Sequence, residues 1–290
     1  IFDGGGPDSD PPHYCTMFHH MVKSGGTTIR NQLERASLQQ KRRSPGVCAL
    51  GPDSDKECHD SLEKSAVVVG YVELLRHPME DAGRDCQYFT IMRHPIDRLI
   101  SSFYYCPHVG DTQARPAKWC GGEPDEEPLA DRLLAFARED WKCKAMLQLN
   151  FSWYCPPGAF CDKTTTRQVP TKVEGVEDWA ALAYAEEMLL NYTAVGIFEE
   201  WELSMELLDA TIVSPVREWN RHELANPGPQ SAEREELREW ALASSEIQKV
   251  VAGDLLLYDL SLSIFKKQAA EALGIVWARG GTSLVLEPAG

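Results

Sequence analysis

The sequence predicts an α/β fold built on a central parallel sheet. Three segments, residues 16–22, 66–72 and 87–92, are short and almost continuously apolar, as are strands that are covered on both faces. The first and third run directly into stretches with helical periodicity, and the alternation of strand-like and helical stretches continues later in the chain. Strands that alternate with helices are connected by crossovers, so we expect them to pair in parallel.

The first strand and its helix are joined by a glycine-containing turn. Residues 1–14 are rich in Gly and Pro and predict a flexible lead-in, with order beginning near residue 15. The turn has the sequence KSGGTT over residues 23–28, after which Ile29, Leu33 and Ala36 recur at helical spacing. The third strand should also end in a helix, because Pro95 suits a first helical turn.

The second half of the chain continues the same pattern. Residues 179–190 predict a helix, residues 192–198 a strand and residues 199–208 another helix. Ser231 is a predicted helix N-cap, and a long helix should run from residue 254 to a Gly274 cap. The segments 39–60 and 106–128 lack periodicity and predict insertions.

The composition is that of a globular protein, with 43% hydrophobic residues and no apolar run of the roughly 20 residues that cross a bilayer. The net charge of −15 disfavours a protein whose whole surface attracts nucleic acid or anionic lipid. Residues 23–43 are the exception, with six basic side chains and one acid. This window predicts either an anion site or a solvated basic helix face.

The nine cysteines lie mostly in loop-like sequence, which favours disulfides in a secreted protein. Zinc is disfavoured because no CxxC pair occurs, and we expect no metal. Glycosylation sequons begin at Asn150 and Asn191, which also favours the secretory pathway. The chain begins at Ile1 rather than Met, which is consistent with removal of an anchor.

Two segments carry the candidate chemistry. The turn at residues 23–28 combines a lysine, two glycines and three hydroxyls at a helix N-terminus, which suits a phosphate, although the glycines could serve packing alone. It is not a Walker A loop, because its lysine precedes the glycines, and a nucleotide kinase is therefore disfavoured. The second segment begins with Arg93, and Ser101 follows about two helical turns later, so both could bind a second phosphate. Taken alone, an arginine such as Arg93 is more often a surface ion-pair partner.

Both segments resemble motifs of the PAPS-dependent Golgi carbohydrate sulfotransferases, especially the heparan sulfate 2-O and 6-O enzymes. HMVKSGGTT at residues 20–28 is similar to their 5′-phosphosulfate loop, HxxKTGGTS, and residues 93–105 are similar to their 3′-phosphate motif, RDPxxRxxSxxxY. Weaker similarities are VGIFEE at residues 195–200 to VGxTEE and DLLLY at residues 254–258 to D-x-x-LY.

The resemblance implies a P-loop-like, three-layer fold with the central sheet flanked by helices. It also implies PAPS (3′-phosphoadenosine 5′-phosphosulfate) as donor and a carbohydrate as acceptor. The sulfotransferase domain would span residues 15–276, followed by a C-terminal tail at residues 277–290. Lys23 would contact the phosphosulfate, and Arg93 with Ser101 would bind the 3′-phosphate. The residues implied to bind the 5′-phosphate are Ser24, Gly25, Gly26, Thr27 and Thr28.

Two positions depart from the family pattern. His94 stands where the family has the aspartate of RDP, at a position that is not the phosphate ligand. Tyr71 stands where the 2-O and 6-O enzymes have a histidine base, and a tyrosine with a pKa near 10 is a poor base at neutral pH. We expect Glu73, on the same strand face as Tyr71, to be the general base, with His77 as the second candidate.

The acceptor is therefore expected to be a polysaccharide or glycan, and the compartment the Golgi lumen or the secretory pathway, with a type II membrane anchor as an open alternative. Nucleic acid is not expected as a partner. A sulfotransferase acting on protein tyrosine or a small alcohol is the first alternative. A noncatalytic protein that binds PAPS or glycans is the second, because Tyr71 leaves the base in question.

Overall fold

The computed structural model describes residues 14–21, 23–39, 47–49, 67–70, 85–105, 127–139, 179–213, 216, 218–222 and 231–277. The described strands form one open sheet in the order β2-β3-β1-β4-β5. Their bounds are Tyr14–His19 (β1), Val47–Ala49 (β2), Val67–Gly70 (β3), Asp85–Met92 (β4) and Ala194–Ile197 (β5). Each described pair of neighbouring strands is parallel, so the prediction of an α/β fold with a parallel sheet is confirmed.

Three of the eight described α-helices closely follow a strand in the chain. Helix α1 (Gly26–Gln39) follows β1, and α2 (Pro95–Tyr105) follows β4. The next helices are α3 (Leu129–Glu139), α4 (Trp179–Leu190) and α5 (Trp201–Thr211), with α5 preceded by a 3₁₀ turn, Phe198–Glu200. The last are α6 (Ala232–Ala243), α7 (Ser245–Val250) and α8 (Ala252–Leu273).

Local sequence signals explain several helix ends. Pro95 is the first residue of α2, where a missing backbone N–H costs nothing. The Ser231 hydroxyl accepts a hydrogen bond from the Arg234 backbone N–H at 3.2 Å, as predicted for an N-cap of α6. Helix α8 ends at Gly274, which has a left-handed φ of 69° that glycine adopts without strain.

Two hydrophobic clusters make the core of the described part. The first packs the sheet against α1, α4, α5 and α8, with Phe89 and Leu257 fully buried within it. The second joins α2, α3, α6 and α7 around Phe103 and Leu133. Helix α2 contacts α8, so the end of β4 lies where the two clusters adjoin.

The connections of the sheet diverge at its centre. The chain leaves β1 towards β2 and β3 on one side, whereas it leaves β4 towards β5 on the other side. The carboxyl ends of β1 and β4 therefore flank the switch point of the sheet. Ligands of open α/β folds bind in the crevice at this point.

The structure corrects some expectations about element bounds. The predicted insertion at residues 39–60 contains the edge strand β2, which pairs with β3. The strand expected at residues 192–198 is shorter, because Phe198 already begins a 3₁₀ turn. Helix α3 was not predicted, and it begins directly after the second predicted insertion. No helix of the described residues is long and apolar enough to span a bilayer.

Candidate functional site

The turn between β1 and α1 has an unusual backbone. Lys23 has a φ of +67° and Gly25 a φ of +82°, and the Ser24 N–H donates to the Met21 carbonyl at 3.3 Å. A left-handed conformation suits glycine, but it costs a residue such as Lys23 about 1–2 kcal/mol. Strain of this kind is concentrated at functional sites.

Packing accounts for both glycines of the turn. A Cβ atom on Gly25 would stand 2.8 Å from a ring carbon of Trp201, and one on Gly26 would stand 1.8 Å from the His20 ring. The alternative that the glycines serve packing is therefore supported at both positions. It does not account for the polar groups around them.

The Ser24 hydroxyl is the first of these polar groups. Its side chain is 1% exposed, and the oxygen has no hydrogen-bond partner in the described part of the protein. A buried polar group left unpaired costs about 1–3 kcal/mol, which points to a partner outside the described residues. Ser24 stands two residues before Gly26, where α1 begins, and no acidic side chain occupies the first turn of that helix. The backbone N–H groups and the dipole there favour an anion.

Arg93 comes from the end of β4 and reaches the same turn. Its Nη1 donates to the Lys23 carbonyl at 3.0 Å, and its guanidinium carbon lies 4.4 Å from the centroid of the Phe198 ring. Its buried Nε has no hydrogen-bond partner, and no ion pair of Arg93 occurs among the described residues. Burial lowers the pKa of Arg93, opposed by the nearby Asp97 and Glu199 carboxylates.

The predicted donor-binding residues are thus brought together only in part. Lys23 and Arg93 are in direct contact, and the hydrogen bond joins two loops at the switch point of the sheet. Ser101 lies in the second turn of α2, partly buried, and no hydrogen bond between it and Arg93 is found in the described region. Tyr71, Glu73 and His77 lie outside the described residues, so the general base stays a prediction.

Four acidic or aromatic residues of the site were missed by residue-level reasoning. Glu199 Oε1 accepts the backbone N–H of His94 at 2.9 Å, and Glu199 Oε2 accepts the Tyr258 hydroxyl at 2.9 Å. Asp254 Oδ2 accepts Arg98 Nη2 at 2.6 Å, with both side chains at most 3% exposed. The fourth residue is Phe198, which lies beneath Arg93. Their only signal in the sequence was the weak similarity of residues 195–200 and 254–258 to family motifs.

His94, the departure from RDP, is built into this network. Its ring lies edge-on to the Tyr258 ring with a centroid distance of 5.3 Å. Its Nδ1 is 3.7 Å from an Asp97 oxygen, and the same carboxylate accepts a hydrogen bond from Arg238 Nε at 2.6 Å. The imidazole therefore packs between Tyr258 and Asp97, next to Arg93 in the chain.

His19 is a core residue, and His20 is partly buried beside the turn after β1. The His19 side chain is fully buried, and its Nδ1 is 2.6 Å from the Tyr192 hydroxyl. The His20 ring stacks on Phe18 with a centroid distance of 5.9 Å. Burial, together with the charges of Arg30 and Lys23, lowers the pKa of His20 to about 4, so this imidazole is neutral at pH 7.

The described residues contain no cluster of His, Cys, Asp or Glu that could hold a metal ion. Eight of the nine cysteine side chains lie outside the described part, so the expected disulfide pairing stays a prediction. Asn191, which begins one of the two sequons, is exposed in the turn after α4, and its amide donates to the Glu187 carbonyl at 2.9 Å. The Asn150 sequon is outside the described residues.

No family model matches the chain, and a search of curated proteins gives no match either. The resemblance to sulfotransferases therefore stays a prediction from the sequence motifs.

Proposed function

We propose that this protein is a PAPS-dependent sulfotransferase that transfers a sulfuryl group to a hydroxyl of a carbohydrate acceptor. The observation that carries the proposal is the hydrogen bond from Arg93 to the carbonyl of Lys23. It joins the two segments that resemble the 5′-phosphosulfate and 3′-phosphate motifs, at the sheet edge where α/β folds bind nucleotides. The strand order and the turn after β1 also support a P-loop-like fold.

The residues of the site fit a doubly anionic nucleotide. The buried Ser24 hydroxyl and the Arg93 Nε both lack a partner among the described residues, and both are donors. The Arg93 charge is partly desolvated and has no ion pair in the described region, so a bound phosphate would stabilise it. The unpaired Ser24 hydroxyl and the N-terminus of α1 would together receive a second anionic group.

When bound, PAPS supplies an activated sulfuryl group that can pass to a hydroxyl. In this proposal Ser24, Gly25, Gly26, Thr27 and Thr28 hold the 5′-phosphate, and Arg93 and Ser101 hold the 3′-phosphate. The Lys23 ammonium stabilises negative charge on the leaving oxygen. The acceptor hydroxyl needs a base to take its proton, and Glu73, followed by His77, stays the predicted base.

The lumen of the secretory pathway is the proposed compartment. The exposed position of Asn191 supports this, because a glycosylated asparagine must be accessible. A carbohydrate acceptor rests on the family resemblance alone, and a protein tyrosine or a small alcohol remains an outcome of the acceptor assay.

The proposal is tested by comparing PAP, the desulfated form of PAPS, with ATP as stabilising ligands. At 100 times its dissociation constant, PAP should stabilise the fold by about 2.7 kcal/mol, a rise in Tm of roughly 5 °C or more. Arg93→Ala should weaken PAP binding by about 1.5–3 kcal/mol, because it removes a charged hydrogen-bond donor.

Arg138→Ala is the matched control, because Arg138 is an exposed arginine of α3 that pairs with Glu246 at the surface. It should leave PAP binding unchanged. A Tm that responds to ATP but not to PAP would refute the proposal. PAP binding without sulfation of any polysaccharide, protein or alcohol in a turnover panel would instead support a noncatalytic binding protein.

A further inference from the structure

One carboxylate connects three segments at the carboxyl edge of the sheet. Glu199 belongs to the 3₁₀ turn after β5, and its two oxygens accept the His94 backbone N–H and the Tyr258 hydroxyl, each at 2.9 Å. His94 follows β4 directly, and Tyr258 belongs to α8. The turn after β5, the segment after β4 and α8 are therefore held together by these two hydrogen bonds.

Arg93 lies next to both ends of the hydrogen bond between Glu199 and His94. It immediately precedes His94, whose backbone Glu199 fixes. Its guanidinium carbon lies 4.4 Å from the ring centroid of Phe198, which immediately precedes Glu199. The backbone beside Arg93 and the aromatic ring beneath its guanidinium are thus set by one short turn.

We propose that Glu199 is a positioning residue, which holds Arg93 in the orientation that receives the 3′-phosphate of the donor. This inference rests on the proposed function. Glu199 itself does not touch the ligand. It acts through the backbone of His94 and through Tyr258, whose ring packs against the His94 ring.

Tyr258 is suited to remain a hydrogen-bond donor. Burial and the neighbouring Glu199 carboxylate raise its pKa, so the phenol stays protonated at physiological pH. Its hydrogen bond gives Glu199 a second fixed point and prevents the carboxylate from rotating away from His94.

The charge of Glu199 allows a test of the positioning role, because the direction of the change in phosphate affinity on removing Glu199 distinguishes two explanations. A carboxylate close to an anion site repels the ligand, so on charge alone its removal should strengthen phosphate binding. A positioning role predicts the opposite result, because a small displacement of a binding group greatly reduces its contribution. The two explanations therefore predict changes in opposite directions.

The experiment measures dissociation constants for PAP and for AMP, which lacks the 3′-phosphate, by titration calorimetry. The ratio of the AMP constant to the PAP constant isolates the contribution of the 3′-phosphate. Glu199→Ala should lower this ratio on the order of tenfold while changing AMP binding little, as expected when one charged contact is misplaced. A general loss of structure would instead weaken both ligands together.

Glu200→Ala is the matched control. It removes an acid from the same turn, and Glu200 makes no hydrogen bond to the segment after β4 in the described part of the chain. Its ratio should equal or exceed that of the wild type. Tyr258→Phe removes one of the two hydrogen bonds and should lower the ratio by a smaller factor than Glu199→Ala.

An unchanged or increased ratio in Glu199→Ala would overturn the inference. If that variant does not fold, Tyr258→Phe decides, and an unchanged ratio there would overturn it equally. The proposed function fails separately, because in that case the wild-type protein itself would bind AMP as tightly as PAP.

Discussion

The ion pair between Arg98 and Asp254 joins the two hydrophobic clusters of the fold. Arg98 belongs to α2 and Asp254 to α8, and their side chains are 2% and 3% exposed. The Nη2 to Oδ2 distance is 2.6 Å. Asp254→Asn keeps the size of the side chain but removes its charge, so it tests how much the fold depends on this pair.

The expected cost follows from the burial of the pair. A guanidinium group is positively charged in proteins, so the variant leaves a buried positive charge without the Asp254 carboxylate that it contacts. Breaking such a pair from one side destabilises a protein by about 3–5 kcal/mol. For a chain of this size, the loss corresponds to a fall in Tm of roughly 6–10 °C.

Glu34→Gln provides a matched control on the surface. Glu34 pairs with Arg30 at 3.3 Å, but the two side chains are 46% and 42% exposed. An exposed pair of this spacing contributes only about 0.3–0.5 kcal/mol. The two variants remove the same charge, so their difference measures the effect of burial.

The assay is urea unfolding followed by tryptophan fluorescence and circular dichroism. Asp254→Asn should lower the midpoint without changing the slope. The double variant Arg98→Met/Asp254→Asn should be more stable than Asp254→Asn, because it no longer buries a positive charge that has lost its contact with the Asp254 carboxylate. If Asp254→Asn lies within 1 kcal/mol of the wild type, or if the double variant is less stable, the reasoning from burial is refuted.

Two further predictions concern the turn after β1. Lys23→Ala should raise the barrier to sulfuryl transfer by about 2–4 kcal/mol while leaving PAP affinity nearly unchanged. Lys249→Ala, at an exposed lysine, is the control and should change neither the barrier nor the affinity. Equal losses in affinity and turnover in Lys23→Ala would contradict the prediction. The pKa of His20 is about 4 in the folded protein and 6.5 when unperturbed. The stability that depends on a neutral His20 is therefore fully present above pH 6.5 and is lost as the pH falls to about 4. This loss amounts to roughly 3 kcal/mol of unfolding free energy. Between pH 7 and pH 4, the unfolding free energy of His20→Phe should therefore fall by about 3 kcal/mol less than that of the wild type. An equal fall in both proteins would show that His20 is not responsible.

Much of the helical structure could be predicted from local sequence. The helix predicted at residues 179–190 is α4 with the same bounds, and Pro95, Ser231 and Gly274 stand at the helix ends where they were expected. These signals involve residues within a few positions of one another, because caps and turn conformations are decided by nearby backbone groups.

The edge strand β2 and helix α3 could not be predicted from local sequence. Val47–Ala49 is only three residues long, and it is a strand because it pairs with β3. Such a segment has no periodicity of its own, and its conformation depends on a partner that is remote in sequence. Helix α3 likewise buries Leu133 and Phe136 against a cluster made mainly by other helices.

The sequence by itself determined the α/β class, the order of the two candidate phosphate motifs and the residue types that they contain. The tertiary structure alone decided which residues meet at the site. Arg93 and Lys23 are 70 positions apart, Glu199 and His94 are 105 apart, and Arg98 and Asp254 are 156 apart. Their contacts exist because the parallel strands bring their carboxyl ends to one edge, and the N-terminal part of α8 packs at that edge. Hydrogen bonds and ion pairs act over a few ångströms, so they depend on this return of the chain and leave no periodic pattern in the sequence.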